Sequence, residues 1–150
     1  MIFQNSVTNA IYTILSSDQA VIDTGASIAV NDLFNQDPNL TPWIGIYSAP
    51  VLVEAERVQN PNPWKITYAP TLYVQNENRK FDGDQTVQGL ENLLNTVITA
   101  IDTYNGIDRT LMGSVDIIKA IDINPYQLNI DESNIIFSYE IVINAERRKN

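Results

Sequence analysis

The stretch "WKITYAPTLYVQ", residues 64–75, constrains the fold more than any other part of this chain. Trp64, Ile66, Tyr68, Leu72 and Val74 fall on one face of an extended strand. Lys65, Thr67, Thr71, Tyr73 and Gln75 fall on the other. Twelve extended residues span about 40 Å, long for a chain of this size. Pro70 cannot donate to a ladder, so it predicts an edge position or a bulge at that point. The preceding "VLVEAERVQ" (51–59) also alternates, and "NPNP" (60–63) is a turn. The two strands therefore predict an extended hairpin.

The other segments set the partners of that hairpin. Phe3, Val7, Ala10, Ile11, Ile14 and Leu15 repeat at helical spacing and predict a helix over 2–16. Residues 17–41 hold the turn-prone "DTGAS", "NDLF" and "NQDPNL" and predict mainly exposed loop. A short strand is expected at 42–48. "NENRKFDGD" (76–84) reads as a polar loop leading into a helix capped by Asp84 or Thr86. Val87, Leu90, Leu94, Val97, Ile98, Ile101 and Tyr104 give that helix one apolar stripe, and Asn105-Gly106 ends it. Strands are predicted at 114–123 and 135–146, with "NPYQLNIDESN" (124–134) as a loop between them. This order predicts one α+β domain over residues 1–150: a mainly antiparallel sheet with an extended hairpin, and two main helices packed on one face.

Composition excludes much chemistry. The chain has no cysteine and no histidine, which rules out disulfides, thiolate sites, Ser-His and Cys-His catalysis and ordinary zinc sites. The six glycines match neither dinucleotide nor P-loop spacing. No cofactor or metal is expected. The formal charge is −9, so the chain should repel DNA and anionic membranes unless its few cations cluster. Residues 1–50 hold four aspartates and no Lys or Arg, whereas Arg147, Arg148 and Lys149 crowd the last four residues. Those three read either as a solvated, frayed terminus or as a cationic contact to an acidic neighbour. "MIFQNS" lacks a basic n-region and no apolar run approaches membrane-spanning length, so a soluble protein is expected.

The polar residues suggest few sites. Glu54 and Glu56 share a strand face and could serve acid/base work or hold a hard cation, although a solvated strand face is the better reading. Asp116 and Asp122 complete the carboxylates that an enzyme reading would use. "DGD" (82–84) lacks the acidic positions of a calcium loop, and Arg79-Lys80 reads as a local ion-pair cluster. The strand aromatics Tyr47, Trp64, Tyr68, Tyr73, Phe137 and Tyr139 read as core and cross-strand packing rather than a base-stacking surface.

The arrangement of "VTNAIYTILSSD", "VLVEAERVQNPNPWKITYAPTLYVQ", "TVQGLENLLNTVITAID" and "IIFSYEIVINAERR" resembles the small bacteriophage tail terminator and tail-completion proteins. The likeness is one of element order and covers most of the chain. It implies a virion protein of the tail or neck, assembled in the host cytoplasm. It implies a ring of identical subunits, typically a hexamer, that caps the tail tube and offers a docking surface to the head–tail connector. It implies no enzyme activity, no cofactor and no membrane. It implies no sequence-specific nucleic-acid contact either, although DNA would pass through the ring. The interface residues expected on this reading are Glu54, Glu56, Lys65 and Tyr73 on the hairpin, with Arg147 and Arg148. A sister head–tail connector or neck component shares the features. The competing classes are a carboxylate-dependent enzyme and a monomeric module that adds a strand to a partner.

Overall fold

The computed structural model describes residues 4–30, 42–48, 51–55, 64–79, 83–107, 110–129 and 134–149. Three helices and seven strands follow in the order α1 (Gln4–Ser17), α2 (Gln19–Asp23), β1 (Ser27–Val30), β2 (Trp43–Tyr47), β3 (Leu52–Ala55), β4 (Trp64–Tyr68), β5 (Thr71–Arg79), α3 (Gly83–Ile107), β6 (Ile117–Asn129) and β7 (Asn134–Lys149). The strands form one sheet, antiparallel except for the β1–β2 pair. This is the α+β class that the pattern predicted, with a third, five-residue helix added.

The sequence's long strand is real and longer than predicted. Trp64 to Tyr68 pair with Lys149 to Ala145, and Thr71 to Arg79 pair with Val142 to Asn134. Both ladders have the same register, so β4 and β5 are one extended run beside β7. Only residues 69–70 leave the ladder, and Ile143 N–H still donates to the Pro70 carbonyl at 3.0 Å. Pro70 therefore sits on no edge, and the irregularity at that point lies in the neighbouring β2–β3 run, not in its own strand. It occupies the middle of an interior strand, flanked by β7 on one side and by β2 and β3 on the other. It gives up its own donor without disturbing the register.

The neighbouring strand shows a one-residue slip. Tyr47 faces Thr71 and Leu52 faces Thr67, so five steps along β2–β3 match four along β4–β5. Such an excess bends a strand and increases its twist. On the far side β6 pairs with β7 along nearly its whole length, with a shift between Ile118 and Ala120.

The helical stripes and the alternating strands meet in one core. Val7, Ile11, Ile14 and Leu15 of α1 and Leu90, Leu94, Val97 and Ile101 of α3 pack on Ile44, Ile46, Ile66, Tyr68, Leu72, Val74, Ile141 and Ile143. Burying one such aliphatic side chain is worth roughly 1.5–3 kcal/mol. α3 lies mainly on β5, and α1 on β1 and β2. Asp18 caps α2: its carboxylate accepts the Val21 N–H at 3.1 Å.

Several boundaries differ from the pattern. Residues 17–30, predicted as loop, contain α2 and β1. Residues 31–41 of that segment lie outside the described residues. β5 runs to Arg79 through what read as loop. β6 continues through Asn124-Pro125 to Asn129, because the outer edge of a sheet tolerates a proline. The C-terminus is not frayed: β7 holds Arg147, Arg148 and Lys149 in register with Ile66, Lys65 and Trp64.

Candidate interaction surface

The helices cannot cover the whole sheet. α3 has 25 residues, about 38 Å at helical rise. The run from Trp64 to Arg79 is about 53 Å at strand rise. Ile66 is buried, but Trp64, two residues along on the same face, is 50% exposed. Val53, across the ladder from Ile66, is 37% exposed. On the opposite face of this end, Leu52 and Ile117 flank Thr67 and Glu146 in one row and are both exposed. The overhanging end of the sheet thus exposes apolar side chains on both faces. Trp64, expected to pack in the core, is instead part of this surface.

The same end gathers charge. Lys65 Nζ and Lys119 Nζ both contact Glu146 Oε1, at 2.9 and 2.8 Å. The Lys119 hydrogen bond is the main reason the Glu146 carboxyl stays below the usual glutamate range; burial opposes it and Lys65 adds to it. Glu54 lies opposite Lys65, and Arg148 lies opposite Lys65 on the other side. Arg148 N–H donates to Asp116 Oδ2 at 2.7 Å. On the helix-side face, burial pushes the Tyr68 phenol up, and the Arg147 charge counters this in part.

The expected interface residues therefore separate. Glu54, Lys65 and Arg148 form one row on one face of the overhang, and Arg147 lies on its other face. Glu56 lies outside the described residues. Tyr73 sits halfway down the sheet, half-buried. It donates from its hydroxyl to Glu140 Oε2 at 2.9 Å and meets Tyr47 edge-on at 5.3 Å. Near it, on the face away from the helices, Trp43 folds over Gly45. Gln75 and Ser138 are paired across the ladder there and buried. The enzyme reading's carboxylates do not converge: Asp116 holds the Arg148 amide and Asp122 accepts from Asn144 Nδ2 at 2.8 Å. Among the described residues no group of acidic side chains has the arrangement of a metal site. No described helix is long and apolar enough to cross a membrane.

A second surface was invisible in the sequence. Leu111, Met112 and Gly113 have φ of 46°, 59° and 80°, a left-handed turn. Two of the three are not glycine, and each such residue costs about 1–2 kcal/mol. The turn buries Leu111 completely and leaves Met112 52% exposed. Ser114 ties it down, donating from Oγ and from N–H to the Leu111 carbonyl at 2.7 and 3.2 Å. Met112 stands at the rim of a groove of about 400 Å³ between the C-terminal ends of α1 and α3. Nothing in "RTLMGSV" except Gly113 signals such a turn.

No protein-family model matches the sequence, and no curated protein is significantly similar to it.

Proposed function

We propose that this protein is a structural virion component, the ring that terminates a bacteriophage tail tube and presents a docking surface to the head. The observation that carries this reading is the overhang: a sheet whose central strands run past their helical cover and end in exposed Leu52, Val53, Trp64 and Ile117 among clustered charges. A free monomer gains nothing from such an end and risks uncontrolled association through it. An assembly of identical subunits satisfies it. The element order adds support, since helix, extended hairpin, helix and two closing strands is the arrangement of tail terminators and their neck relatives.

On this reading the protein acts by shape. One face of the ring matches the growing end of the tail tube and the other does not, so binding buries the surface the next tube ring needs. Glu54, Lys65, Arg147 and Arg148 sit where charge tunes encounter and specificity. The test is tail length by electron microscopy in infected cells that lack this protein. Overlong or headless tails are expected. Uniform tails with heads attached would overturn the proposal. A sister neck component is distinguished by normal tube length with unjoined heads.

A further inference from the structure

We infer that the overhanging sheet end of one copy docks into the groove between α1 and α3 of a second copy, with Trp64 entering beside Met112. The inference rests on the ring reading above and names the contact that would build the ring.

Charge decides the occupant. Lys65, Lys119, Arg147, Arg148 and Lys149 all belong to the overhang, five of the nine cations in the chain. Three carboxylates accompany them, Glu54, Asp116 and Glu146. Among the described residues that end therefore carries a net +2, opposite in sign to the chain as a whole. The helical segment is the complement. Residues 4–23 and 83–107 contain Asp18, Asp23, Asp84, Glu91 and Asp102 and no Lys or Arg. Opposite charges on one polypeptide favour head-to-tail contact between copies and disfavour contact of like ends.

Shape agrees with charge. The groove is lined by Thr13, Ser17, Asp18, Thr103, Tyr104 and Met112 among others, and its lining is more apolar than polar. Its size is in the range that holds one aromatic group. The overhang supplies such a group in Trp64, with Val53 beside it and Arg147 on the same face. The left-handed turn holds the exposed Met112 at the rim, where a flexible thioether adapts to an aromatic ring. Where each copy gives its tip to one neighbour and its groove to another, the contact is heterologous and generates rings or open chains, whereas a reciprocal exchange between two copies would stop at a two-fold dimer.

Two variants separate the halves. Trp64→Ala removes the inserted group, and Thr103→Arg fills the groove and cancels the charge of Asp18 in its lining; both positions are exposed, and thermal melts verify that each variant folds. Analytical ultracentrifugation is expected to give species larger than a dimer for the unaltered protein, weakening as salt is raised. Each variant alone should be monomeric, with at least a tenfold loss of self-affinity. Mixed, they should form a discrete one-to-one dimer, since Thr103→Arg keeps a working tip and Trp64→Ala a working groove. A monomeric unaltered protein, variants that still assemble, or a mixture that stays monomeric would each overturn the contact. The tail-length assay is independent: normal tails with a confirmed dimer of variants would remove the terminator reading and leave this interface standing.

Discussion

At the residue scale, two positions show how local sequence determines the surface. Gly45 lies under the Trp43 indole: a Cβ there would overlap the ring and press on Tyr47 at 2.9 Å. Gly45→Val should lower stability by about 1–3 kcal/mol through overpacking, measured by urea unfolding. An unchanged midpoint would mean Trp43 swings away freely. Glu146 makes a pH prediction. Its carboxyl is held below the ordinary glutamate value, mainly by the Lys119 hydrogen bond. A lowered folded-state value means the bridge stabilises fully above the unfolded glutamate range and is lost as pH falls through the folded value. Glu146→Gln should therefore destabilise at neutral pH and match the unaltered protein once acid has protonated Glu146. Melts from about pH 3 to 7 test this, because that range spans the ordinary carboxylate values. A gap that persists at the acid end would place the effect elsewhere.

At the scale of elements, periodicity carried the reading a long way and then stopped for identifiable reasons. The stripes of α1 and α3 and the alternation from Trp64 to Val74 gave helices and strand faces directly, because burial enforces both periods. The alternation did not reveal where helical cover ends, so Trp64 read as core. Turn-prone polar residues in "NENR" and "NPYQLN" hid strand continuations: beside β7, ladder pairing overrides weak local propensity. The cations at the C-terminus read as a frayed tail because no period shows that they lie beside Lys65. The left-handed turn left no trace, since Leu and Met rarely adopt that conformation. That turn gives the next prediction. Met112→Gly should raise stability by about 1 kcal/mol, as glycine tolerates positive φ, while weakening self-association by removing the rim. Thermal melts read the first effect and sedimentation the second. A destabilised variant would show that Met112 packs more than its exposure indicates.

At the scale of the whole molecule, the arrangement of charge matters more than its total. A net charge of −9 disfavours contact with nucleic acid, but five of the nine cations are gathered at one end of the sheet. If that end served DNA, the five cations would act as phosphate contacts, and affinity would fall steeply with salt. Its geometry argues otherwise. Lys65 and Lys119 both spend their charge on Glu146, the Arg148 amide is held by Asp116, and the exposed Leu52 and Ile117 of that face are aliphatic, whereas the exposed Trp64 lies on the other face. An acidic remainder also repels the duplex from every other approach. The protein should therefore leave duplex DNA unshifted in a gel at low ionic strength, alone or assembled, which is what a ring with DNA passing through it requires. Retention that disappears as salt is raised would assign the cationic end to phosphate. Arg148→Gln would then reduce the salt slope by about one unit; in the self-docking arrangement the same change weakens assembly and leaves DNA unbound.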